Sequence, residues 1–172
     1  MSVSVQIVVG NPSPGSRTRR AAELLVGRLA PRARVETIEL GEYGAELFDF
    51  ASARVGTLNA AVADADVAVF ATPTYKGTYT GLLKAFLDRY GTNGLAGVVA
   101  IPLQTGGSMG HSLAPNATLA PLLLELGAIL PGRGLYLPMD REAELEELVR
   151  AAADEYADNL RRLSRVAGAL AG

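Results

Sequence analysis

Three short stretches hold the residues most suited to chemistry: Gly10–Thr18 (GNPSPGSRT), Thr72–Thr80 (TPTYKGTYT) and Gln104–Ser108 (QTGGS). In the first, small residues let backbone N–H groups approach an oxyanion, and Ser13, Ser16 and Thr18 add hydroxyl donors. Arg17, Arg19 and Arg20 follow where a helix is expected to begin, an end whose partial positive charge favours Asp and Glu. A bound phosphate turns Arg17 from a penalty into a charge-assisted partner. A polar turn with Ser16 as N-cap and the arginines in solvent fits the same letters. The loop matches neither GxxxxGKS/T nor GxGxxG, which disfavours a triphosphate P-loop and an ordinary dinucleotide fold. In the second stretch Pro73, Thr74, Tyr75 and Lys76 make a backbone wall with one aromatic, suited to a flat heterocycle. A surface loop with packed tyrosines is the plainer reading. The third stretch, with Thr105, Gly106, Gly107 and Ser108, exposes N–H groups that could face carbonyl oxygens or a ring nitrogen, or is simply a tight turn.

Composition narrows the chemistry. The chain has no cysteine and one histidine, His111, so thiolate nucleophiles, disulfides and Cys-ligated metals are excluded and a His-based metal site is disfavoured. Its 16 basic and 18 acidic residues give a net charge of −2, neither a nucleic-acid footprint nor a strongly acidic carrier. The first apolar run stops at Gly10, and the stretch Leu119–Leu130 is broken by Pro121, Glu125 and Gly127. Neither a signal peptide nor a membrane span is expected, and a cytoplasmic enzyme or carrier is the default.

The elements that must position these loops alternate along the chain. Strands are expected at Val3–Val9, Val35–Leu40, Asp66–Thr72, Gly97–Leu103 and within Ala128–Leu137. Helical spacing covers Ala21–Leu29, Leu58–Ala65, Gly81–Tyr90, a Pro-interrupted segment ending near Leu126, and Asp140 to about Ala167. The irregular stretch from Gly41 to Ala53, with Tyr43, Phe48 and Phe50, reads as a packed loop. The last helix has an acidic start (Asp140 as N-cap, Glu142, Glu144) and a basic end (Arg161, Arg162, Arg165). That is the order the macrodipole favours, and the first helix inverts it. Five alternating strands imply one α/β domain over residues 1–172 with a doubly covered parallel sheet. Loops after such strands open on one edge, and a sheet in order 2-1-3-4-5 has its switch point between strands 1 and 3, where a mononucleotide flavin sits.

The motifs GNPSPGSRT, ATPTYKGTYTGLLKAFLDR and PLQTGGSMGH resemble the NADPH-dependent FMN reductase family of flavodoxin-like proteins, over roughly Val3 to Leu137. The nearest subgroup is the small reductases of two-component alkanesulfonate-type monooxygenase systems. The resemblance implies that Ser13, Ser16, Arg17 and Thr18 bind the phosphate, that Pro73 to Lys76 form the flavin-ring loop, and that Thr105 to Ser108 form the third contact. It also implies FMN and NADPH as cofactors, a homodimer or tetramer using the helix Gly81–Tyr90, and a flavin-dependent monooxygenase as partner. The subgroup often carries a Tyr, with a π-type insertion and tetramer packing, in the helix after TGG; here Ala117 stands there, with Pro115 nearby. Hydride transfer between two cofactors needs no protein acid or nucleophile, so no catalytic side chain is nominated. His111 is expected at a helix start or interface, Lys84 and Asp88 on a solvated face, and Arg19 and Arg20 on the surface. A quinone or azo-dye reductase and a flavodoxin-type electron carrier are the alternatives on the same fold.

Overall fold

A computed structural model describes residues 2–170; the side chain of Glu142 lies outside the described residues, as do residues 171–172. Five parallel strands, β1 (Ser4–Val9), β2 (Arg34–Glu39), β3 (Val67–Pro73), β4 (Val99–Gly106) and β5 (Leu135–Pro138), form one sheet in the order β2-β1-β3-β4-β5. The flavodoxin-like order is therefore as expected, with the reversal of winding between β1 and β3. The inner strands carry apolar residues on both faces because helices cover both. On one face Val5, Ile7, Val9, Val69 and Ile101 meet α1 (Arg17–Leu29) and α5 (Leu145–Leu170) through Ala21, Leu25, Val149 and Tyr156. On the other face Val8, Phe70 and Ala100 meet α2 (Ala53–Ala63), α3 (Gly81–Leu87) and α4 (Ala120–Glu125) through Val55, Val62, Phe86 and Leu123.

Several boundaries differ from the sequence pattern, each for a local reason. α2 begins five residues before the expected Leu58, because the Ser52 hydroxyl accepts the Val55 N–H at 3.1 Å and starts the helix there. β4 continues through Gln104, Thr105 and Gly106, since Thr72 and Pro73 of β3 and Pro138 of β5 offer it partners; three of the third loop's five residues are strand. Asp140 does not cap the last helix. Residues Met139–Glu144 form a tight helical stretch kinked at Arg141, and α5 starts at Leu145 with Glu146 and Glu147 in its first turn. The helix runs on past Arg165, so its final turn has no basic residue. The stretch from Gly41 to Ala53 is anchored by buried Leu47, whereas Phe48 and Phe50 are exposed rather than packed. The apolar stripe of α3 is spent inside this chain, where Leu83, Phe86 and Leu87 are buried. None of the helices among the described residues is long and apolar enough to cross a membrane.

Candidate functional site

The first loop is wound tightly by its own polar groups. The Asn11 carboxamide oxygen accepts the Ser13 N–H at 2.9 Å and its nitrogen donates to Thr18 Oγ1 at 3.3 Å. Gly15 takes a left-handed conformation, φ +61°, and Ser16 caps α1 by accepting the Arg19 N–H at 3.2 Å. That leaves the amides of Arg17 and Thr18 without intrahelical acceptors at the helix start. There is no acidic residue in this first turn. Arg17 is exposed and makes no ion pair among the described residues. Arg19 differs from the expectation of a solvent coat: it bridges Glu23 and the buried Glu39, and both carboxylates raise its pKa.

The other two loops are tied to the first. Gly10 donates its N–H to the Ala71 carbonyl at 2.7 Å and accepts from Thr80 Oγ1 at 2.6 Å. A Cβ on Gly10 would lie 2.8 Å from Leu83 Cβ, so only glycine lets α3 sit this close to the loop. Thr18 Oγ1 and Thr105 Oγ1 are 2.8 Å apart in a buried hydrogen bond that joins the first loop to the end of β4. The Thr74 N–H reaches the Thr105 carbonyl at 2.7 Å, and Thr74 Oγ1 donates to the Gln104 side chain at 3.0 Å. Tyr75 and Thr78 exchange backbone hydrogen bonds across Lys76 and Gly77, whose φ values of +53° and +83° make a tight hairpin turn. Tyr75 is thereby held at the rim, 53% exposed.

Together these loops enclose a cavity of about 380 Å³. It is lined by Ser13, Ser16, Arg17, Thr18, Pro73, Thr74, Tyr75, Thr105, Gly106 and Gly107 of the sequence-derived set, with Asn11 and Met139 in addition. Lys76 and Ser108 are absent from the lining. Lys76 is exposed at the tip of the hairpin turn. Ser108 caps the following turn, and its carbonyl accepts the Tyr136 hydroxyl at 2.6 Å. The same hydroxyl explains Gly106, where a Cβ would come within 1.9 Å of it. His111 is exposed at the end of that turn, next to Gly77 of the second loop. Lys84 and Asp88 form a surface ion pair on α3. Sequence reasoning passed over Asn11 and Met139. An Asn beginning a Pro/Ser loop is a recurrent side-chain-to-backbone turn former, whereas Met139 reaches the cavity only through the placement of β5.

Residues 3–141 match the family model described as NADPH-dependent FMN reductase. The chain belongs to the NADPH-dependent FMN reductase family. One relative within reach of this family member, an FMN reductase (NADPH) of Pseudomonas putida, is 32% identical over 160 residues, which covers 88% of this chain and 81% of the relative. An NADH-dependent FMN reductase, SfnF, also of Pseudomonas putida, is 30% identical over 146 residues, 80% of this chain and 78% of that one. Among solved structures, the apo form of an NADH:FMN oxidoreductase (EMOB) superimposes with a TM-score of 0.82 at 29% identity, covering 91% of this chain and 89% of that one.

The helix after the third loop carries a π-type turn although the tyrosine associated with it in the resembling subgroup is absent. Residues Pro115–Leu119 form a π-helical turn before α4, in which the Ala120 N–H bonds to the Pro115 carbonyl five residues back. The turn forms with Ala117 in place of tyrosine. Pro115 lacks an N–H, Thr118 Oγ1 donates to the Ala114 carbonyl at 2.7 Å, and Asn116 clasps the Gly134 backbone through both ends of its amide. The Gln104 amide nitrogen also reaches Thr118 Oγ1 at 3.3 Å, linking the turn to the second loop through Thr74.

Proposed function

We propose that this chain reduces FMN at the expense of NAD(P)H, with the FMN phosphate in the Gly10–Thr18 cradle and the ring along Pro73–Tyr75 and Thr105–Gly107. The observation that carries this reading is the asymmetry of the cavity. One end offers Arg17, which has no ion pair among the described residues, two helix-start amides and the hydroxyls of Ser13, Ser16 and Thr18, a donor set suited to a phosphate monoester. The other end is backbone, glycine and one aromatic, suited to a flat ring.

FMN, when bound, supplies the ring that accepts a hydride from the dihydronicotinamide. The chain's residues bind and orient. Arg17 and the loop would anchor the phosphate, Thr74 and Thr105 fix the second loop to the end of β4 through their backbone hydrogen bond and so would hold the ring wall in place, and exposed Tyr75 would stand at its rim. Arg17 and Tyr75 are the titratable residues in the lining, in keeping with a reaction that asks for no protein acid or base.

Three extensions belong to the same proposal. A homodimer or tetramer places a neighbour beside each site; exposed Tyr75, Met109 and Leu113 support that, in place of the α3 stripe. The resemblance to two-component systems supports a flavin-dependent monooxygenase as consumer of the reduced flavin. A cytoplasmic setting, with its nicotinamide pool, suits both. Steady-state oxidation of NADPH and NADH with FMN, a quinone or an azo dye as sole acceptor tests the function. The reading predicts turnover with FMN. Turnover with quinone or dye alone assigns the chain to those reductases, and no turnover with any acceptor leaves an electron carrier.

A further inference from the structure

β2 lines no part of the cavity, yet its end is built against the first loop. Glu39, its last residue, is 6% exposed, an unusual burial for a carboxylate. Its Oε2 accepts the Gly15 N–H at 3.1 Å, and its Oε1 takes the Arg19 guanidinium, which also bonds Glu23 at 2.7 Å. Two residues on, Gly41 leaves room for the loop backbone: a Cβ there would stand 2.9 Å from the carbonyl oxygens of Asn11 and Pro12.

We infer that Glu39 is a positioning residue for phosphate recognition, acting through Gly15 and Arg19. Its bond to Gly15 holds the left-handed corner between Ser13 and Ser16, both of which line the cavity with Arg17 and Thr18 of the helix start. Its pairing with Arg19 commits that cation, leaving Arg17 to face the cavity. A buried acid beside an anion site would by charge alone repel the anion. Here it shapes the site instead, with Arg19 offsetting its charge. This inference rests on the phosphate-cradle reading and adds to it a residue outside the cavity that sets phosphate selectivity.

The test compares FMN and riboflavin binding by calorimetric titration to wild type, Glu39→Ala, Glu39→Gln and Gly41→Ala. Glu39→Ala should weaken FMN by about tenfold or more, since a charged hydrogen-bond acceptor is lost, and leave riboflavin within about twofold. Glu39→Gln keeps an oxygen for Gly15 and should retain FMN affinity within about threefold. Gly41→Ala, whose Cβ would press on the Asn11 and Pro12 carbonyls while leaving the Glu39 carboxylate in the chain, should reproduce the FMN-selective loss. Unchanged or tighter FMN binding in Glu39→Ala overturns the inference, as does an equal loss of both flavins, which marks a structural role. A wild type that prefers FMN while Glu39→Ala behaves like it defeats this inference alone; a wild type that binds riboflavin as tightly as FMN defeats the cradle itself.

Discussion

Arg17 is where local stability and ligand binding pull in opposite directions. It sits at the first position of α1, unfavourable for a cation, with no acidic residue in the turn. Replacing it by alanine should remove a charge-assisted contact of roughly 1.5–3 kcal/mol and so weaken FMN about ten- to more than a hundredfold. Riboflavin, which lacks the phosphate, should bind both proteins alike. Thermal unfolding of the apo-protein should be unchanged or slightly raised, because a cation leaves the positive end of the helix. Titration calorimetry with both flavins, beside a melting curve, checks all three. The Ser16 cap and the misplaced cation at Arg17 were legible from the letters alone, whereas the acidic start expected at Asp140, Glu142 and Glu144 falls before α5, whose first turn holds Glu146 and Glu147 instead. Glu39 was not. In VETIEL it reads as one more polar position of an alternating strand, and only the packing of β2 against the loop reveals its burial and its two partners.

At the scale of elements, the strand order followed from the alternation of apolar runs and helical stretches, but the ends of elements depended on neighbours. QTGG looked like loop because glycine is poor in strands, and β3 nonetheless pairs with Gln104 and Thr105. That extension carries Thr105 to Thr18, and the resulting hydrogen bond couples two loops 87 residues apart in sequence. Thr18→Val strands the buried Thr105 hydroxyl and takes an acceptor from Asn11, Thr105→Val leaves the Thr18 hydroxyl with Asn11 alone, and each should cost about 1–3 kcal/mol of stability. The double variant should cost less than the sum, since neither hydroxyl of the pair is left facing a valine. Urea unfolding of the four proteins measures the coupling; additive losses would mean that the two hydroxyls act independently. Gly106→Ala is the complementary prediction. Its new methyl group would collide with the Tyr136 hydroxyl, so it should lower the melting temperature and weaken both flavins together, unlike Arg17→Ala.

For the whole molecule, two tyrosines lock the opposite faces of the sheet. Tyr90 donates to the Asn59 carbonyl at 3.0 Å and stacks edge-on against Phe86 on the α3 side; Tyr156 donates to the Arg133 carbonyl at 2.6 Å on the α5 side. Burial pushes both phenols up from the ordinary value of 10.0. The fold therefore favours the neutral forms: their contribution is complete below about pH 10 and is lost as pH rises toward the folded-state values. Melting temperature should fall steadily above that pH, and the Tyr90→Phe, Tyr156→Phe double variant should show a shallower decline from a lower start. Assembly is tested at the same scale, by light scattering at micromolar concentration. A dimer or tetramer supports a shared site mouth around Tyr75, and a monomer removes the neighbour from the account.

The central claim is that the cavity between the three loops is where a nicotinamide reduces FMN. Anaerobic mixing of the protein with FMN and a slight excess of NADPH, with the visible flavin absorbance followed in time, tests it most directly. The account predicts that FMN bleaches with consumption of one NADPH per flavin, at a rate that rises with protein concentration and drops for Arg17→Ala at sub-saturating FMN. FMN that binds the protein yet stays oxidised in the presence of both NADPH and NADH would contradict it.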